Sequence, residues 1–409
     1  MQMSSFKKSG HMPTLFSAFM YFDISFMIWV LLGPLAVFIA EDFHLTPAQK
    51  GLLVALPTLG GAFLRLVFGS LTDRIGAKKT AMMGLTLTFI PLLLGWLGAR
   101  DLNQLHVVAL LLGIGGASFA VALPMASRWF PPEHQGLAMG IAGAGNSGTV
   151  LTALFAPRIA KHFGGDWHMV FAIALIPIAI TWVVVALLAK DSPNRPAPKG
   201  MSEYLGILRQ SDTLWFSLFY SITFGGFVGL AGFLPTFYHD QYGVDKIQAG
   251  TYAAMCVFAG SFVRPIGGYL ADRFGGVRML IGLYSVICLL ALAAARLFPL
   301  STEILVLFVL MASLGLGNGA VFQLVPQRFP SQIGVVTGIV GAAGGLGGFA
   351  LPFALGYFKQ TMGSFGTGLT GFALGAALCI ALVVVLHPLW NRAGWLGAGG
   401  RAVLAPAAD

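Results

Sequence analysis

Charge is what this sequence has least of. Asp, Glu, Lys and Arg make up 10% of its 409 residues, against about a quarter in an ordinary soluble domain, so too little charge is present to cover a water-exposed surface. A soluble globular protein is excluded. Cysteine is scarcer: Cys256, Cys288 and Cys379 all fall inside apolar runs without metal-ligand spacing, which excludes a disulfide framework and a cysteine-bound metal. HExxH, GxSxG, P-loop and clustered-carboxylate patterns are missing too. No enzyme chemistry, metal or cofactor is therefore expected. Acidic residues number 15 against 24 Lys and Arg, a formal charge of +9. The excess is scattered through short loops rather than gathered in a patch, which speaks for membrane topology and against a nucleic-acid partner.

What is abundant is apolar: 57% of residues are hydrophobic, with a mean hydropathy of +0.82. About 20 apolar residues in a helix cross a hydrocarbon core of about 30 Å. Twelve such runs lie near 14–40, 48–72, 77–99, 104–127, 136–158, 166–189, 212–239, 247–272, 277–298, 301–327, 333–358 and 366–389. Only helices and closed barrels satisfy their backbones in lipid, and runs this long and continuous predict helices. The expected class is an all-α membrane protein with twelve transmembrane helices. The first run follows Lys7 and Lys8 but exceeds signal-peptide length and lacks a small-residue cleavage pattern, so it is read as a retained span. Cytoplasmic loops concentrate Lys and Arg. With both termini cytoplasmic, fifteen of the 24 basic residues fall on that side, among them Lys7, Arg195, Lys199 and Arg401, and seven on the other. The remaining two, Arg65 and Arg264, sit inside spans.

The longest polar connection, "AKDSPNRPAPKGMSEYLGILRQSD", divides the chain. The expected units are a six-helix half at 1–189, a cytoplasmic linker at 190–211 and a second six-helix half at 212–409. Arg65, Gly69, Asp73, Arg74 and Gly76 recur as Arg264, Gly268, Asp272, Arg273 and Gly275, all at an offset of 199. "GLAMGIAG" and "GVVTGIVG" repeat at an offset of 198, and "GIGGASFAVALP" and "GLGNGAVFQLVP" at 202. Such a parallel repeat resembles the major facilitator superfamily. Gly69, Asp73, Arg74, Gly76, Lys78 and Lys79 fit its G-x3-D-R-x-G-x-K/R-K/R loop signature, partly repeated from Gly268 to Arg278. The resemblance implies two halves related by pseudo-two-fold symmetry, which rock about a midplane substrate site. It also implies that the Asp73 and Arg74 type of loop steadies one end state.

Each intramembrane arginine precedes its loop Asp by eight residues, about 12 Å along a helix rising 1.5 Å per residue. A mid-span arginine costs about 2.5–3.5 kcal/mol even on the lenient insertion scale, so it faces a partner or a cavity. Asp23 is the one acid expected clearly within a span, too few to neutralise both. One reading has the guanidiniums bonding backbone carbonyls and locking helices. The other makes the missing partner an anionic substrate, and symmetry favours it, because equivalent positions of two halves face each other. A permanently charged planar fork suits a flat oxyanion. Glycine, at 54 residues, is concentrated in "GLAMGIAGAGNSGTV" and "GVVTGIVGAAGGLGGFALP", where small residues let helices approach closely. Asn146, a polar amide within the first stretch, needs hydrogen-bond partners from a neighbouring helix or from the anion. Tyr220 and Phe224, one turn apart, and Phe119, in the glycine-rich fourth span, are the aromatics placed to sandwich a flat ion.

The arginine pair, the two glycine-rich stretches, "GGASFAVALPMASRWFPPEHQG" and the opening "YFDISFMIWVLLGPL" resemble the nitrate/nitrite porter family of that superfamily. The resemblance implies that Arg65 and Arg264 bind nitrate or nitrite, that Phe119, Tyr220 and Phe224 enclose it, and that Asn146 adds hydrogen bonds. It implies that the helices of Gly143, Gly145, Gly341 and Gly344 bend and slide during switching. Two departures are Gly344 in the repeat position of Asn146 and Arg278 without an adjacent second basic residue. The opening stretch and short loops are similar to the proton-coupled uptake branch; arginine cannot carry the proton, so Asp23, the carboxylate expected in a span, is either the proton carrier or a boundary residue pairing with a neighbouring helix or a cytoplasmic-side charge. Nitrate/nitrite exchange is the alternative, and transport of a small organic anion or a channel are further readings. The expected setting is the cytoplasmic membrane of a bacterium, as a lipid-embedded monomer.

Overall fold

The computed structural model describes residues 6, 8–193, 201–329 and 333–396. Lys7, Arg195, Lys199, Arg401 and linker residues 194–200 lie outside the described residues. All twelve expected runs are helical. They form α1 (Met12–Phe43), α2 (Pro47–Ile75), α3 (Ala77–Leu97), α4 (Leu102–Ser127), α5 (Leu137–His162), α6 (His168–Leu188), α7 (Ser211–Tyr242), α8 (Lys246–Phe274), α9 (Gly276–Ala294), α10 (Leu300–Arg328), α11 (Gly334–Met362) and α12 (Gly366–Arg392). The last part of the expected linker is itself helical, Met201–Leu208. Twelve traverses leave the start of α1 and the end of α12 on the same side, called here the terminal end.

Local chemistry accounts for the helix ends. Thr46 and Gln49 form a reciprocal capping box and Pro47 occupies the first turn of α2, satisfying donors that a helix start leaves free. At the other end of α2, Gly76 adopts φ 99°, and Gly275 after α8 adopts φ 94°. A left-handed φ costs a side-chain-bearing residue but not glycine, which is why both copies of the signature loop carry Gly there. Three spans are interrupted: α1 at Val30 and Leu31, α4 at Ser118, and α5 by a 3-10 turn over Ala144–Ser147.

Helices α1, α2 and α5 pack on α7, α11 and α8 and so join the first six spans to the last six. The seams run on glycine: a Cβ at Gly345 would stand 2.9 Å from the Ala62 Cβ, one at Gly51 2.6 Å from the Pro352 carbonyl, and one at Gly250 2.5 Å from the Ala153 carbonyl. Ion pairs Lys50–Asp240, Lys246–Glu41 and Lys161–Asp245 tie the two sets at the end opposite the termini. At the terminal end, Arg128–Asp73 and Arg328–Asp212 each lie within one set, at 2.5 Å. A Cβ at Gly140, Gly334 or Gly338 there would meet nothing within 4 Å. Among the described residues, the ion pairs between the two sets therefore gather at one end, while those at the terminal end stay within a set.

One expectation needs correction: Asp23 is not the only buried intramembrane acid. Asp212, in the first turn of α7, and Glu303, in the first turn of α10, are also buried. Both lie where a span meets its loop, where polar composition reads as interfacial, and only the packing of neighbouring helices encloses them.

Candidate functional site

Arg65 reaches inward from α2 and is 0% exposed. Its Nε donates to the Gly116 carbonyl at 2.9 Å, beside the interruption of α4, and its Nη1 donates to the Gly341 carbonyl of α11 at 2.5 Å. The guanidinium carbon stands 5.0 Å from the Trp29 ring centre, 5.1 Å from that of Phe119 and 4.9 Å from that of Phe224. Arg264, half-buried on α8, donates through Nη2 to the Tyr220 hydroxyl at 3.2 Å and lies 5.5 Å from Phe119 and 5.9 Å from Phe322. The same Phe119 ring thus flanks both cations. Tyr220 and Phe224 stack at 4.9 Å and 7°, as their one-turn spacing predicts.

The carbonyl-bonding expectation is met in part, because Arg65 does clamp α4 and α11. Carbonyl dipoles do not cancel a full charge, however, and no Asp or Glu pairs with either arginine among the described residues. Arg65 Nη2 and Arg264 Nη1 are buried donors without a partner. Two cations in an aromatic, water-poor setting, each with a spare donor, make a strong receptor for an anion, since charge-assisted hydrogen bonds gain most in low dielectric. Aromatic faces also favour the guanidiniums themselves.

The other predicted residues divide. A Cβ on Gly341 would lie 3.5 Å from the Phe119 ring and 3.9 Å from Arg65 Cδ, and one on Gly344 2.6 Å from the Tyr220 ring. That contact gives the physical reason why Gly344 departs from the Asn146 repeat: Tyr220 and Phe224 occupy the space a side chain would need. Asn146 sits on the 3-10 turn of α5, with its Oδ1 buried and unpartnered and its carbonyl accepting from Thr149 Oγ1 at 2.7 Å and Ser261 Oγ of α8 at 3.5 Å. Asp23 stands apart from the arginine pair, accepting from Ser147 Oγ at 2.6 Å and so clasping α1 to α5. Gly145 is pressed against α1, 2.8 Å from the Asp23 amide nitrogen for an added Cβ, whereas Gly143 has Leu123 no nearer than 4.0 Å.

In the signature loops, Asp73 accepts from Arg128, the residue capping the end of α4, and Asp272 accepts from Gln323 of α10 at 2.8 Å. The two copies make equivalent bonds, α2 to α4 and α8 to α10, each within its own six helices. Gly69 lies near Ala120 of α4 and Gly268 near Gly319 of α10. Arg74 is exposed, and Arg273 stands over the Phe274 ring at 5.6 Å. Two site aromatics escaped the sequence reading, Trp29 and Phe322. Each carried a weak signal: Trp29 belongs to the opening stretch "YFDISFMIWVLLGPL", and Phe322 lies one residue past the repeat counterpart of Phe119.

The family described as Major Facilitator Superfamily matches residues 15–352. The chain belongs to the major facilitator superfamily. Within it, the chain is 33% identical over 369 residues to the "Nitrite extrusion protein" of Bacillus subtilis, covering 90% of this chain and 92% of the relative. It is 37% identical over 340 residues to the "Probable nitrate/nitrite transporter NarK2" of Mycobacterium tuberculosis (81% and 85%), and 31% identical to the "Probable nitrate/nitrite antiporter NarK1" of Thermus thermophilus (84% of each). These similarities make it a member of the superfamily's nitrate/nitrite porter family. The crystal structure of a bacterial homolog of the human lysosomal transporter Spinster superposes with a TM-score of 0.66 at 18% identity, over 96% of this chain and 98% of that one, a likeness of fold. As a superfamily member with twelve apolar helices, the protein is a multi-pass membrane protein of a transporter family rather than an enzyme family.

Proposed function

We propose that this protein carries nitrate, and nitrite as a second substrate, across the bacterial cytoplasmic membrane by alternating access. The carrying observation is the pair of intramembrane arginines, Arg65 buried and Arg264 half-buried, one from each set of six helices, flanking one phenylalanine ring with a buried spare donor on each and, among the described residues, no carboxylate to neutralise them. Arg65 and Arg264 grip opposite edges of the flat anion. Phe119, Tyr220 and Phe224 form its apolar walls, and Asn146 contributes a hydrogen bond. The names of the relatives support this substrate class. The halves 1–189 and 212–409 rock about the site, with the linker and both termini cytoplasmic. Gly143, Gly145, Gly341 and Gly344 let α5 and α11 slide, and the Asp73–Arg74 and Asp272–Arg273 loops steady each half. The protein acts as a monomer.

The transport is proton-coupled uptake, with Asp23, clasped to the α5 segment that carries Asn146, as the coupling acid. Nitrate/nitrite exchange is the second reading, favoured by two fixed positive charges at the site: an anion screens them when the halves close, so closure without one is penalised. Proteoliposomes with an imposed pH gradient and no internal anion decide between them. Accumulation of nitrate there is expected. Failure to accumulate, with rapid uptake once nitrite is loaded inside, assigns exchange. Competition by lactate as strong as that by nitrite overturns the inorganic-anion reading.

A further inference from the structure

Glu303 lies in the first turn of α10 and is 0% exposed, and neither carboxyl oxygen has a hydrogen-bond partner. From α7, Tyr238 and Tyr242 are close enough to interact electrostatically with it. From α8 the titratable neighbour is Cys256, whose sulfur lies 3.4 Å from the Tyr238 oxygen and 3.9 Å from the carbonyl of Ile304. Those phenols and that thiol carry no charge at neutral pH. The charged or titratable groups elsewhere at this corner are engaged or turned to solvent. His239 is bound to the Val244 carbonyl, Asp240 is paired with Lys50, Lys359 of α11 is turned to Gln241 and Phe365, and Arg296 before α10 is exposed.

A buried carboxyl can be satisfied by a cation, by hydrogen-bond donors or by a proton; no cation faces this one, and the nearest donor, the Phe298 backbone N–H, bears on it without completing a hydrogen bond to either oxygen. The field of a helix N-terminus favours negative charge, but by far less than burial penalises a bare carboxylate. We propose that Glu303 is a proton-binding site: its carboxyl is the neutral acid while the ends of α7, α8 and α10 are packed together, and it gives its proton to water when they part. Release breaks the O–H bond, sends the proton to solvent and leaves a hydrated carboxylate. Tyr242, donating to the Phe298 carbonyl at 2.9 Å, fastens the α9–α10 loop beside it. Acid on that side of the membrane therefore favours the closed corner. Glu303 is distinct from Asp23, whose carboxylate already has a donor.

Infrared spectroscopy of the full-length protein in nanodiscs tests this without any transported anion, so its outcome is separate from that of the nitrate reading. A protonated-carboxyl C=O signal is expected at neutral pH in the wild type and in Asp23→Asn, shifted in frequency in Glu303→Asp and absent in Glu303→Gln. Tyr242→Phe, which loosens the loop, should make the signal disappear at a lower pH than in the wild type. A wild-type spectrum unchanged in both Glu303 variants overturns the proposal. If Glu303→Gln does not insert, an unshifted signal in Glu303→Asp does so alone.

Discussion

At the scale of single residues, Arg65 and Arg264 have the same chemistry in unlike surroundings. Arg65 is walled by three rings and tied to two carbonyls, while Arg264 is half-buried with one hydroxyl partner. The planar fork matters more than the charge at Arg65, because one nitrogen pair spans α4 and α11 and another donor remains free. Arg65→Lys keeps the charge and loses that geometry. We expect normal membrane insertion and a loss of about 1.5–3 kcal/mol of charge-assisted bonding, roughly a 10- to 150-fold fall in nitrate affinity, measured by uptake in proteoliposomes. Near-normal uptake would return Arg65 to a structural clamp. The arginines were legible in the sequence because a charge in an apolar run stands out. Trp29 and Phe322 were not, since in a chain with 33 Phe and 8 Trp only three-dimensional proximity marks the ring that touches a cation.

At the scale of helices, glycine divides into two populations that composition does not separate. Gly145 is wedged against α1, with an added Cβ 2.8 Å from both the Asp23 nitrogen and the Phe22 ring, whereas Gly140, one turn and a fraction earlier on the same span, meets nothing within 4 Å. Gly145→Ala should overpack the α1–α5 seam and cost about 1–3 kcal/mol. Gly140→Ala should instead stabilise by about 0.4–1 kcal/mol by restricting the unfolded chain. Thermal unfolding in detergent reads both, and equal shifts would sink the distinction. The 3-10 turn at Ala144–Ser147 was equally hidden: "GAGNSG" announces weak helix propensity, but which turn tightens depends on α1 and α8 pressing on either side.

At the scale of the whole molecule, the ion pairs that join the two sets of helices gather at the end opposite the termini. An exposed pair such as Lys161–Asp245 is worth about 0–1 kcal/mol, and Lys50–Asp240, whose side chains are only 13% and 16% exposed, is screened less by solvent; set against the packed helices, the role of these pairs is to bias the balance of conformations rather than to hold the fold. Lys50→Glu, which places like charges opposite each other, should open that end. In a cysteine-free background carrying Val54→Cys, buried beside Gly232 of α7, thiol labelling is expected to rise at least about five-fold, the factor that about 1 kcal/mol gives. The swap Lys50→Asp with Asp240→Lys should restore the slow rate, and labelling unchanged in Lys50→Glu would show that the pair exerts no bias.

The sequence by itself determined the twelve spans, the duplicated signature loop and the two intramembrane arginines. Each of these follows from a local rule: apolar length, glycine at a left-handed φ, and the cost of charge in lipid. Only the tertiary structure decided that one phenylalanine flanks both arginines, that Gly344 yields its place to Tyr220, and that Glu303 is enclosed without a cation to pair it. Those depend on which helix faces meet, and residues far apart in the chain set that by packing.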